Sequence, residues 1–195
     1  GTSRRPRRRN EGAALLIGFG RFGQIVSQPL LARGFSISII ETDTEMIRAA
    51  QTFGFKVYYG DGARLDILRA AGAETAQVII WAADDREASI KIAEIARTEF
   101  PQTPILMRAF DREHAVALVD AGASWHVRET LGSAFTASEE ALRRLGLTEE
   151  EVAATMAEAR RRDAERFELD RVRGVVAGSA LIIGNLPKAG TGAAP

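Results

Sequence analysis

An apolar run that empties straight into glycines is the feature that most narrows what this chain can be. AALLIG (13–18) leads into Gly18-Phe19-Gly20-Arg21-Phe22-Gly23, the spacing G-x-G-x-x-G, and an amphipathic stretch follows. Each glycine has its own task in such a turn. Gly18 permits the tight exit from a strand, Gly20 lets backbone approach a diphosphate with no Cβ in the way, and Gly23 lets the next helix pack on the sheet. The amino end of that helix then offers unbonded N–H groups and a partial positive charge to phosphate. A plain turn can carry the same spacing, but its place between strand and helix points to nucleotide binding.

The pattern continues downstream. SISIIE (36–41), KVYYG (56–60), QVIIWA (77–82), PILMRA (104–109) and SWHVR (124–128) are short apolar runs, as expected of parallel strands buried on both faces. Between them lie helical stripes. Phe22, Ile25, Val26, Leu30 and Leu31 run past Pro29, and Met46, Ile47, Ala50 and Phe53 stop at Gly54. Leu65, Leu68 and Ala71 stop at Gly72. Ile90, Ile92, Ala93 and Ile95 follow Asp84 and Glu87 at capping-box spacing, and Ala115, Leu118 and Val119 stop at Gly122. This alternation predicts an α/β fold, a Rossmann-like doubly wound parallel sheet of six strands in the order 3-2-1-4-5-6.

After Arg128 the alternation ends. Leu131 to Leu145 reads as one helix, Gly146 breaks it, and Thr148 with Glu151 forms a second capping box ahead of a charged helix to about Asp170. Val152, Met156, Ala159 and Phe167 give that helix only a thin apolar stripe, so it is expected either in solvent or, the favoured reading, across a partner subunit. The expected organisation is a basic linker over 1–12, a nucleotide-binding domain over 13–130, a helical dimerisation and regulatory segment over 131–170, and a flexible tail over 171–195.

Glu41 ends the second strand 18 residues after Gly23, the distance at which a carboxylate meets the adenosine ribose. It can accept from both ribose hydroxyls and repels a 2′-phosphate, and Thr42 beside it brings no arginine. NADP is therefore unfavoured, with a surface acid as the plain alternative for Glu41. Asp61, followed by Gly62, is placed to reach the adenine amino group or to cap the next helix. Ala82 leaves room near the far end of the cleft, where Trp81 reads as core. Arg21 and Arg108 meet phosphates or another anion, or are surface charge. His114 reads as solvated and His126 as packed inside a strand.

Composition excludes much else. With no Cys and two His, no disulfide framework, thiolate metal site or cysteine nucleophile is available, and no metal site is expected. Five of the 26 basic residues, Arg4, Arg5, Arg7, Arg8 and Arg9, lie in the first nine positions, leaving 21 against 26 acidic. So acidic a body is a poor nucleic-acid binder; the basic arm reads as a solvated linker ahead of contact with RNA or anionic lipid. The longest apolar candidate, 175–186, is too short to span a bilayer and is interrupted by Gly178 and Gly184. There is no Tyr-x-x-x-Lys pair and no nucleophile elbow, so no catalytic residue is assigned; a small NAD-dependent oxidoreductase stands as the alternative.

GFGRFGQ (18–24), IIETD (39–43), YYGDGARLDILRAAGA (58–73), AADD (82–85), RAFDREHA (108–115), RET (128–130) and ALRRLGL (141–147) together resemble the KTN domain, also called RCK or TrkA-N. The resemblance covers about residues 13–165 and is strongest to regulatory domains of glutathione-gated potassium efflux systems of the Kef type. It implies a homodimer at the cytoplasmic face of the bacterial inner membrane, acting on the membrane domain of a potassium/proton antiporter. It further implies NAD(H) or AMP in the glycine cleft, glutathione or a glutathione adduct as effector, and an ancillary oxidoreductase subunit. A potassium-uptake subunit gated by nucleotide is the related alternative. By position, Gly18, Phe19, Gly20, Arg21, Phe22, Gly23, Glu41 and Asp61 fall on the family's nucleotide site, and Arg21 also on its effector site. The family's effector asparagine stands here as Asp163, beside Arg160, Arg161 and Arg162, with Arg161 the candidate contact. The family's Asp-Ala-Thr after the third strand stands as Asp61-Gly62-Ala63.

Overall fold

The computed structural model describes residues 12–173; the five N-terminal arginines and the 175–186 apolar stretch lie outside them. The described residues form two units, one ending at Glu129 and one beginning at Thr130. In the first, β1 (Ala14–Ile17), α1 (Arg21–Ala32), β2 (Ile37–Glu41), α2 (Thr44–Thr52) and β3 (Lys56–Tyr59) are followed by α3 (Leu65–Ala70) and β4 (Val78–Trp81). Then come α4 (Arg86–Glu99), β5 (Ile105–Ala109), α5 (Arg112–Ala121) and β6 (Trp125–Arg128). All strand pairs are parallel and the sheet order is β3-β2-β1-β4-β5-β6, as expected.

The apolar runs form strands because the sheet is covered on both faces. Leu16, Ile39 and Ile80 share one core cluster with Phe19 and Ala50, and Phe22, Val26 and Leu30 of α1 and Met46 of α2 pack against it. Each fully buried side chain of this kind contributes about 1.5–3 kcal/mol. Right-handed crossovers carry α4 and α5 to the other face, where Ile92, Ala93, Ala115 and Leu118 are buried. Helices stop where the backbone turns left-handed: Gly122 has φ +113 and its N–H closes α5 on Leu118 and Val119. The helix α1 runs through Pro29.

The second unit holds α6 (Leu131–Arg144) and α7 (Glu149–Arg173). The capping box forms as expected: the Thr148 N–H donates to Glu151 Oε2 (2.8 Å) and the Glu151 N–H to Thr148 Oγ1 (3.2 Å). Val152 and Met156 are buried. Arg160 reaches back to Glu139 and lies over the Phe135 ring, tying α7 to α6. No helix among the described residues is long and apolar enough to cross a membrane.

Candidate functional site

A cleft of about 320 Å³ opens where the loops after β1, β2, β3 and β4 converge, the edge at which doubly wound sheets bind ligands. Gly18, at φ +93, turns the chain out of β1; a Cβ there would stand 2.8 Å from the Ala83 backbone N. Gly23 is buried in α1, and its Cβ would stand 2.3 Å from the Gly18 carbonyl oxygen. Glycine at both positions is dictated by backbone meeting backbone. Gly20 differs, because a Cβ there meets nothing within 4 Å.

The amino end of α1 is bare. Gly20 is its N-cap and makes no side-chain cap, the first turn holds no acid, and the first helical amide bond runs from Gln24 to Gly20. The N–H groups of Arg21, Phe22 and Gly23 therefore have no helical carbonyl to meet. By contrast α2, α4 and α5 are capped by Asp43, Asp85 and Asp111. An uncapped helix behind a glycine turn presents donors and positive potential to an anion.

Glu41 stands at the mouth of the cleft, half-buried. Its Oε2 accepts from the Phe19 N–H (2.7 Å), and Oε1 accepts from Thr42 (2.8 Å) and Asp43 (3.0 Å). A carboxylate offers about four lone-pair sites, so three main-chain donors leave room for one ribose hydroxyl rather than two. The same carboxylate ties the glycine turn to the end of β2. We expect Glu41→Ala to weaken AMP and NADH about equally, by about 10–100-fold, because one ribose contact and the Phe19 tether are lost together. Calorimetric affinities equal to those of the unaltered protein would remove Glu41 from the site.

Of the other candidates, Gly18, Thr42, Asp61 and Gly62 line the cleft. Asp61 Oδ1 accepts from the Ala63 N–H (2.8 Å), closing the loop after β3. Phe19 and Ala82 are buried in the core instead, and Ala83 lines the cleft in place of Ala82. Arg21 is exposed and forms an ion pair with the buried carboxylate of Glu129. Arg108 is buried against the Phe22 ring and donates to the Ala83 carbonyl (3.0 Å) and to Asp84. It braces the loop behind the cleft rather than lining it. Asp84 is thereby taken from its expected capping role, and Asp85 caps α4 through the Ala88 N–H (2.9 Å).

Arg161 and Asp163 lie on α7 in the second unit. Arg161 pairs with Glu158 and Glu165, and with Arg162 it holds the Glu158 carboxyl down to about 2.

Several cleft residues carried no chemical signal in the sequence: Ile17, Ile40, Trp81, Asp85 and Ala88. Ile17 is in register with Ile40 on one side and Trp81 on the other, so three apolar side chains form a row across β2, β1 and β4. His114, expected in solvent, is buried. Its Nδ1 accepts from the Phe110 N–H (3.0 Å) and its Nε2 meets Ser89 Oγ (2.7 Å), whose hydroxyl donates to the Arg86 carbonyl. Burial, then the Arg86 cation, pushes its pKa below the usual histidine value, so the ring is neutral and structural.

The TrkA-N domain profile matches residues 14–128. A glutathione-regulated potassium-efflux system protein of Haemophilus influenzae is 44% identical over 164 residues, which is 84% of this chain and 26% of that protein. KefC of Salmonella arizonae is 41% identical over 133 residues, 68% of this chain and 22% of that protein. The chain thus spans about a quarter of the length of these relatives. Among solved structures, the AMP-bound Kef C-terminal domain of Shewanella denitrificans superposes with a TM-score of 0.73 at 35% identity, covering 80% of this chain and 96% of that one. A glycine turn on a six-stranded parallel sheet, the matched profile and that superposition together establish that this chain belongs to the TrkA-N domain family and is a Kef-type member of it.

Proposed function

We propose that this domain is a ligand-binding regulator of a potassium/proton efflux antiporter, holding AMP or NAD(H) in the glycine cleft and responding to glutathione or its adducts. The observation that carries the reading is the bare amino end of α1 in the glycine turn Gly18–Gly23, with Glu41, which lines the cleft, bonded to that turn through the Phe19 N–H. A phosphate takes the unbonded N–H groups of Arg21, Phe22 and Gly23, and the ribose meets Glu41. The negative charge of Glu41 disfavours a 2′-phosphate. The AMP carried by the Shewanella denitrificans relative supports the same ligand class.

An effector role is assigned to Arg21 in the first unit and, separately, to Arg161 and Asp163 in the second, in a homodimer of two copies of the chain. Both ion pairs of Arg161 are exposed, and exposed ion pairs contribute only about 0–1 kcal/mol, so effector carboxylates can displace Glu158 and Glu165 from Arg161 at small cost. The membrane domain of the antiporter is the partner to be gated, at the cytoplasmic face of the inner membrane, with an ancillary oxidoreductase docking on the pair. Gating is bounded by the effector's differential affinity for two arrangements, typically ~1–3 kcal/mol.

Titration calorimetry with AMP, NADH and NADPH tests the nucleotide half. AMP and NADH are expected to bind at one site per chain, and NADPH at least about tenfold more weakly, as a like charge beside Glu41 requires. Absence of binding by both AMP and NADH, or sustained NADH oxidation with carbonyls or quinones, would overturn the reading.

A further inference from the structure

Gly62 is a glycine for a reason its own backbone does not supply. Its φ lies outside the left-handed region, unlike that of Gly18 or Gly122, so an L side chain is conformationally allowed there. What forbids one is Ile17: a Cβ at position 62 would stand 2.3 Å from Ile17 Cγ2. That methyl sits directly on the branched Cβ of a buried strand residue, and branched side chains are stiff at χ1. Ile17 cannot swing clear without leaving the row it shares with Ile40 and Trp81. The loop bearing Gly62 is held in turn by the Asp61–Ala63 bond.

We infer that Ile17 and Gly62 are an interlocked pair that sets the depth of the cleft: Ile17, buried like Ile40 and Trp81 beside it, is the seat on which the loop bearing Gly62 rests, and that loop, with Asp61, is the wall that a bound base meets. This rests on the nucleotide reading above and assigns the base-fitting role to residues that carry no polar chemistry. A larger residue at 62 lifts the loop off Ile17, and a smaller one at 17 leaves a hollow beneath it. Either change degrades the fit, and the two together restore it, because the new Cβ at 62 enters the space that Ile17 vacates.

The test is a double-mutant cycle of Gly62→Ala, Ile17→Ala and the pair, read by thermal melting without ligand and by AMP calorimetry. Gly62→Ala is expected to melt lower and to bind AMP at least about tenfold more weakly, and Ile17→Ala to lose stability through its cavity. The double variant is expected to melt above the sum of the single effects and to bind AMP within about threefold of the unaltered protein. Additive melting shifts, or a Gly62→Ala protein that melts and binds normally, would overturn the interlock. Should Gly62→Ala fail to fold, a folded double variant supports the pair and an unfolded one overturns it. Should the unaltered protein bind no AMP, the nucleotide reading and the base-fitting role fall together, while the melting cycle still decides the interlock.

Discussion

Gly23→Ala will lower the melting temperature and abolish nucleotide binding together. The new Cβ would lie 2.3 Å from the Gly18 carbonyl oxygen, about 1 Å inside ordinary contact. Neither side can yield by rotating a side chain. Gly18 is pinned by its N–H bond to the Ile40 carbonyl (2.9 Å) and by its own close approach to Ala83. So α1 must move away from the sheet, and Phe22 and Val26, which pack on the core cluster, move with it. Overpacking of this kind costs about 1–3 kcal/mol, or a fall of roughly 5–15 °C in a domain of this size. The displaced amino end carries its three free N–H groups with it, so AMP affinity should fall more than about 100-fold. Differential scanning fluorimetry and calorimetry on the same preparation check both halves; normal melting with normal affinity would show that the Gly18–Gly23 contact does not fix the helix.

Much of this was legible in the residues themselves. Runs such as AALLI and VIIW are apolar without alternation because both of their faces are covered, and that alone leads to the parallel sheet and its order. The glycine turn, Glu41 and the Thr148–Glu151 box are legible because each works through neighbours close in sequence. What escaped depends on contacts between distant segments. Asp84 and Asp85 are adjacent and equally able to cap α4; Arg108, 24 residues away, decides the matter by pairing with Asp84. His114 looks like a surface residue until Ser89, 25 residues earlier, is placed beside it. Ile17, Ile40 and Trp81 read as core and are buried; that they also line the cleft depends on where the distant loops after β2, β3 and β4 converge. Phe19 and Ala82 lie inside the glycine and loop motifs yet point into the core, since position within a motif does not fix which way a side chain faces.

The central claim is that the main-chain N–H groups at the start of α1 hold a phosphate, and Gly20 isolates it from every question of folding. Gly20 has φ −79 and ψ −162, and an added Cβ meets nothing. Gly20→Ala therefore changes the fold very little: alanine is a slightly poorer N-cap than glycine, by about 0.5 kcal/mol, and the stiffer unfolded chain offsets a similar amount. A phosphate approaching those amides would, in contrast, meet the new methyl group. Calorimetric titration of AMP into Gly20→Ala beside the unaltered protein, with both melting within about 3 °C of each other, is the most direct measurement. Affinity is expected to fall at least about 100-fold, the loss of two or more charge-assisted bonds. Equal affinity in the two proteins would contradict phosphate binding at this helix end.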